Sequence, residues 1–192
     1  MSVTAARGFR AAGVAAGVKA SGGLDVALVV NDGPLDAAAA VFTSNRAKAN
    51  PVLWSQQAIA GGTARAVILN AGGANCFTGA FGFQTTHQTA ERVAERLGTA
   101  SDPIGAIDVQ VCSTGLIGVG DEVFRAAVLR GVDLTADALA DDDAAGLAAA
   151  QAIMTTDSKP KQAVVTTDGF TVGGMAKGAG MLAPGLATML VV

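Results

Sequence analysis

The chain predicts a layered α/β fold, on three observations. Short apolar runs bounded by Gly, Asn and Asp alternate with stretches of helical periodicity, the order of a layered α/β domain and not of a bundle or a β-sandwich. Hydrophobic residues fill 51% of the 192 positions and charged residues only 15%, against roughly 25% charge in an average domain. Most of the chain is therefore interior. Neither an internal repeat nor a long linker divides it, so the length fits one α/β domain or part of one.

Leu24–Val30 lies between Gly22-Gly23 and Asn31-Asp32-Gly33, the profile of a strand buried on both faces. Ala37–Thr43 and Ala64–Asn70 read the same way. Phe83, Ala90, Val93, Ala94 and Leu97 share one helix face, and Gly98 is a natural stop. Ile107–Ser113 alternates: Ile107, Val109 and Val111 point one way, Asp108, Gln110 and Cys112 the other, as in a strand with one face on the core. Asp121–Leu129 and Ala144–Met154 are expected as further helices. Asp141-Asp142-Asp143 precedes the second of them, where negative charge suits the helix dipole. Adjacent carboxylates point apart, which weighs against a metal site there. Ala163–Thr167 and Phe170–Met175, joined by Asp168-Gly169, form an expected β-hairpin.

Thirteen basic and sixteen acidic residues leave a net charge of −3, with no basic stripe for nucleic acid. Aromatic residues are 4% of the chain, with one Trp and no Tyr, so a base-stacking platform is not expected either. No apolar run approaches the ~18 residues of a membrane span, and no signal-peptide block opens the chain. A cytoplasmic protein is the expectation. Cys76 and Cys112 lack metal-ligand spacing and read as small buried residues. His87, with Glu91 four positions on, reads as a partly exposed helix-surface histidine, so no histidine-based triad is at hand.

Four segments are rich in Gly, Asn, Ser and Thr at strand ends: Asn70–Asn75, Cys112–Gly115, Met154–Asp157 and Gly173–Met181. Glycine lets a backbone approach a ligand closely, although each segment alone also reads as a turn. None is a phosphate loop: Gly115-x-x-Gly118-x-Gly120 lacks the GxGxxG order, and GxxxxGK[ST] does not occur. A set rich in hydroxyls and amides, with a single lysine, suits carboxylate binding or oxyanion stabilisation.

Lys177-Gly178-Ala179-Gly180-Met181-Leu182-Ala183-Pro184, followed by Ala187-Thr188-Met189-Leu190, resembles the processing-site signature of the ornithine acetyltransferase family, which in some species also acts as a glutamate N-acetyltransferase. Gly13–Lys19, Val41–Asn45, Asn70–Asn75, Cys112–Gly118 and Ile153–Asp157 resemble further family motifs in family order, so the likeness spans nearly the whole chain. One departure stands in the Asn70–Asn75 loop. Where the family pattern reads Asn-Ser-Gly-Asn-Ala-Asn, this chain has Ala71 and Gly73.

The resemblance implies a layered α/β sandwich of the ornithine acetyltransferase type and a self-processing threonine enzyme. Residues 1–187 would be the α chain and 188–192 the start of a β chain whose remainder is absent here. Cleavage between Ala187 and Thr188 would free the Thr188 α-amine, a general base with an unperturbed pKa of about 7.7–8.0. Thr188 would be the nucleophile. Thr114 and Gly115 match the oxyanion-hole pair, and Thr155, Lys177 and Thr188 match substrate-binding positions. The implied reaction is ping-pong acetyl transfer from N-acetylornithine to glutamate in arginine biosynthesis. It needs no metal or organic cofactor, and whether acetyl-CoA serves as a second donor stays open. Implied partners are the β chain of the same precursor and further α/β pairs. Two rival readings share the residues: a related N-terminal-nucleophile aminopeptidase, and a non-catalytic scaffold on the same fold.

Overall fold

The computed structural model describes residues 2–183 and 185–192; Pro184, part of the signature above, lies outside them. The first sheet has the order β1-β2-β3-β4 and comprises β1 (Phe9–Val14), β2 (Val26–Asn31), β3 (Ala66–Gly73) and β4 (Val109–Leu116). β1 and β2 pair antiparallel, as do β2 and β3, whereas β3 and β4 run parallel. A parallel neighbour needs a crossover, and α2 (Gly79–Leu97) supplies it. Between β2 and β3 lies α1 (Asn50–Ala58); after β4 come α3 (Glu122–Asp137) and α4 (Asp143–Ala152). A second sheet of order β5-β6-β7 holds the hairpin β5 (Lys161–Thr167) and β6 (Phe170–Lys177), with β7 (Leu190–Val191) antiparallel to β6.

Both faces of the first sheet are covered, and the alternation of its side chains divides the core in two. Val26, Leu28, Val30, Ile68, Val109 and Val111 meet Trp54 and Ala58 of α1, Ala90 and Val93 of α2, and Val132 of α3. Ala11, Ala27, Val29 and Leu69 face the other way, onto Ala149, Ala150, Ala152 and Ile153 and onto Met175 of the second sheet. Met175 also exchanges both backbone hydrogen bonds with Val192, at 2.8 and 3.0 Å. Those bonds extend the β6–β7 pairing, and the Met175 side chain in the shared core is what seats the second sheet on the first.

The free edge of β4 is closed by α1. Trp54 Nε1 donates to the Val109 carbonyl at 3.1 Å. Ser55 Oγ donates to the Val111 carbonyl at 2.9 Å and accepts from the Val111 amide at 3.0 Å. One side chain thus satisfies both groups of an edge residue that would otherwise invite another strand.

Most expected elements appear, some with shifted ends. Leu24–Val30 becomes β2, buried on both faces as expected. The predicted hairpin pairs with Asp168-Gly169 at its turn. Asp121 caps α3 by accepting from the Phe124 amide at 2.9 Å, and Asp142 caps α4 by accepting from the Ala145 amide at 2.8 Å. The acidic run is therefore a helix start. The α3 helix runs past Leu129 to Asp137, because Gly131 serves packing and does not break the helix. A Cβ there would stand 2.5 Å from Val26 Cγ2 on β2.

Two expectations are corrected. Ala37–Thr43 forms no strand: Ala37 makes an isolated bridge to Thr63, and Val41 is 99% exposed. Its alanines bury too little apolar area to hold a strand in place. Ile107 sits in a 3₁₀ turn, Ala106–Asp108, and is 54% exposed. The strand begins at Val109, and its second face is covered too, with Gln110 buried and Cys112 packed on the second core.

Candidate active site

Four chain segments meet at the Lys177 ammonium. Thr114 lies near the end of β4, Thr155 in the turn after α4, Lys177 at the end of β6, and Thr188 just before β7. Lys177 is only 4% exposed. Its Nζ donates to Thr155 Oγ1 at 2.8 Å, to Thr114 Oγ1 at 3.1 Å and to the Thr188 carbonyl at 3.3 Å. A surface lysine in a flexible loop is thereby excluded. Burial, the largest influence, pushes the Lys177 pKa below the ordinary lysine value; Asp157 opposes that shift and Lys161 adds to it.

The chain between β6 and β7 folds back to present Thr188. Met181, at φ +55°, accepts on its carbonyl from the Leu186 and Ala187 amides at 3.0 and 2.9 Å. Lys177 pairs with Leu190 across the two strands, which brings Thr188 back beside the lysine. Asn45 Nδ2 donates to the Gly185 carbonyl at 3.1 Å. The Val41–Asn45 motif, which forms no strand, thus reaches the loop that carries Ala187 and Thr188.

Thr114 is 1% exposed, and its neighbour Gly115 occupies a conformation that requires glycine. Gly115 has φ +128° and faces Gly72, at φ +139°, on β3. A Cβ on Gly115 would stand 2.4 Å from the Gly72 carbonyl carbon. The two glycines let the ends of β3 and β4 approach.

The Asn70–Asn75 segment is not all loop: Asn70–Gly73 ends β3, and both asparagines are buried. Asn70 Oδ1 accepts from Ser113 Oγ at 2.6 Å, just before Thr114, and its Nδ2 donates to the Gly73 carbonyl at 3.1 Å. Asn75, at φ +49°, donates to the Gly82 carbonyl at 2.8 Å and to Thr86 Oγ1 at 2.9 Å, tying the loop to the start of α2. Gly73, the departure from the family pattern, has a physical reason in this chain. A Cβ there would stand 2.7 Å from Phe124 Cε2.

Sequence reasoning assigned no role to two charged groups beside the site. Asp157, within the flagged Met154–Asp157 segment, accepts from the Gly178 amide at 2.8 Å, from the Thr155 amide at 3.3 Å and from the Lys161 ammonium. Burial works to raise its pKa, but the Lys161 ammonium and the two amides prevail and hold it at about 2. Lys19 donates to the Leu24 and Ala152 carbonyls at 2.5 and 3.0 Å; burial lowers its pKa, and Lys177 adds to that shift. His87 stays half-exposed at 3.5 Å from Glu91 and packs edge-on against Trp54, with ring centroids 4.8 Å apart. It belongs to the helix surface and not to the Lys177 cluster. Among the described residues, no group of three or more His, Cys, Asp or Glu is placed to hold a metal ion.

Residues 10–192 match the model of the ArgJ family. The chain belongs to the ArgJ family. It is 60% identical over 192 residues to the "Arginine biosynthesis bifunctional protein ArgJ" of Streptomyces coelicolor, covering all of this chain and 48% of that protein. The protein of the same name from Streptomyces avermitilis is 59% identical over 192 residues, again across 48% of its length. The chain thus spans about half the length of these ArgJ relatives. Among solved structures, ornithine acetyltransferase of Mycobacterium tuberculosis, complexed with ornithine, superimposes with a TM-score of 0.89 at 54% identity. That match covers 98% of this chain and 96% of the other. The ArgJ protein of Bacillus halodurans gives a TM-score of 0.82 at 30% identity, over 99% and 95% of the two chains. The layered α/β sandwich is therefore the ornithine acetyltransferase fold. No helix among the described residues is long and apolar enough to cross a membrane.

Proposed function

We propose that this chain is the part of a self-processing acetyltransferase that carries the oxyanion hole and delivers the nucleophile, moving acetyl from N-acetylornithine to glutamate in the cytoplasm. One observation carries the reading: Lys177 Nζ bonds Thr114, Thr155 and Thr188 at once, within 3.3 Å. These are the residues that the family resemblance matches to the oxyanion hole, the substrate site and the nucleophile.

Cleavage of the Ala187–Thr188 peptide bond leaves the Thr188 amine beside its own hydroxyl. As the hydroxyl oxygen attacks the acetyl carbonyl carbon, the neutral amine takes its proton. Thr114 Oγ1 already accepts from Lys177, so its single proton is free to be given to the developing oxyanion. The Gly115 amide is the second donor. The tetrahedral species collapses with cleavage of the amide C–N bond, the ammonium returns a proton to the departing nitrogen, and ornithine leaves the acetyl ester of Thr188. The glutamate amine then attacks the ester, which releases N-acetylglutamate and restores the hydroxyl. Lys177 offers its cation to the α-carboxylate that both amino-acid substrates carry, with Thr155 beside it. The chemistry calls on no metal or organic cofactor, and acetyl-CoA is a candidate second donor. The C-terminal half of the precursor completes the substrate site, and the α/β pairs assemble further.

The test incubates the full-length protein with N-acetylornithine, with and without glutamate. Sustained ornithine release that depends on glutamate is the expected result. Release at the same rate without glutamate would mean hydrolysis, and no release in either case would remove the reading.

A further inference from the structure

The reaction proposed above gives Asp157 no part, yet its carboxylate ties the site together from behind. The side chain is fully buried. Oδ1 accepts from the Gly178 amide at 2.8 Å and from the Lys161 ammonium, while Oδ2 accepts from the Thr155 amide at 3.3 Å. Thr155 follows α4 and Gly178 follows β6, directly after Lys177, so one carboxylate joins the segment that carries Thr155 to the strand end that carries Lys177. We propose that Asp157 is the positioning residue of this site, clamping the Thr155 and Gly178 backbone so that the Lys177 ammonium stays aimed at the Thr114 and Thr155 hydroxyls and remains charged for a substrate carboxylate. The inference rests on the acetyl-transfer reading and deepens it.

The surrounding charges support the electrostatic half of the role. Three charged groups bear on Lys177: Asp157, Lys161 on β5, and Lys19 behind the Leu24 and Ala152 carbonyls. Burial lowers the Lys177 pKa, Asp157 raises it, and Lys161 lowers it. Of the three neighbours only Asp157 favours the ammonium. An asparagine cannot replace it. With its oxygen toward Gly178 and Lys161, its NH₂ would face the Thr155 amide, donor against donor.

The experiment uses the full-length protein, with acetyl transfer from N-acetylornithine to glutamate followed across pH. In Asp157→Asn, KM for N-acetylornithine should rise roughly tenfold or more, because a charge-assisted contact is weakened. The alkaline limb of the rate profile should move to lower pH. Lys161→Met removes the opposing ammonium and leaves the carboxylate in place, so its limb should move to higher pH. A general loosening of the fold would lower the melting temperature of both variants without moving their limbs in opposite directions. Limbs that stay put, or move the same way, overturn the inference while the wild type still transfers acetyl. If Asp157→Asn does not fold, Asp157→Glu decides: it keeps the charge but displaces the oxygens that hold the Thr155 and Gly178 amides, so a raised KM supports the clamp and an unchanged KM overturns it. A wild type that transfers no acetyl overturns the acetyl-transfer reading and this inference together.

Discussion

A threonine hydroxyl that accepts from an ammonium has one proton left to give, and Thr114 is in that state, with Lys177 at 3.1 Å. Thr114→Ala should lower kcat about 10²–10³-fold, since losing one oxyanion donor costs about 2.7–4 kcal/mol in the transition state. Steady-state kinetics check this. KM for N-acetylornithine should stay within a few-fold, whereas a rise in KM with kcat preserved would make Thr114 a ground-state contact. The base is tested by pH. Activity should rise with pH as an amine titrates, and that limb should persist in His87→Ala, because His87 sits on the α2 surface beside Glu91. The Asp157 carboxyl, held at about 2 against roughly 3.9 unfolded, makes a stability prediction of its own. A depressed pKa gives stabilisation that is complete above the unfolded value and lost as pH falls through the folded one. The melting-temperature gap between wild type and Asp157→Asn should therefore be full above about pH 4 and close toward about pH 2.

Elements hold this site in place through contacts that leave no room for change. Ser55 on α1 satisfies both backbone groups of Val111, so Ser55→Ala should destabilise the fold by about 1–3 kcal/mol, the cost of buried groups left without partners. Chemical denaturation measures it. Gly13 on β1 lies so close to α4 that a Cβ would stand 2.1 Å from the Ala148 carbonyl oxygen. Gly13→Ala should therefore push α4 off the sheet and cost at least the 1–3 kcal/mol typical of overpacking. These contacts also explain what the sequence hid. Phe9–Val14 carries little apolar signal for a strand because Ala11 and Gly13 are small, and α4 packs tightly on both. Asn50–Ala58 buries Pro51, Trp54, Ser55 and Ala58 at helical spacing, but with serine and alanine in that stripe the apolar signal is weak. Trp54 and Ser55 also bond the β4 edge. Periodicity sees buried faces, not edge caps. By contrast β2 and α2 announced themselves, one by an unbroken apolar run and the other by recurrence at helical spacing.

At the scale of the whole molecule, the candidate site is assembled from segments far apart in the chain. Lys177 and Thr114 stand 63 positions apart, and their meeting depends on the second sheet packing on the first through Met175. Residue types alone pointed to a hydroxyl-rich site with one lysine. Family motifs supplied the roles, and folding brought Thr114, Thr155, Lys177 and Thr188 within reach of one ammonium. Asp157 gives little signal in the sequence because two of its three partners are backbone amides, which a sequence does not display. The central claim is that Thr188, once cut from Ala187, carries the acetyl group. Intact mass of the full-length protein, incubated with N-acetylornithine alone and then with glutamate, tests it most directly. We expect two fragments meeting at Ala187 and Thr188, with one acetyl group on the fragment that begins at Thr188, removed when glutamate is added. A single uncut mass, or an acetyl group on the fragment ending at Ala187, would contradict the account.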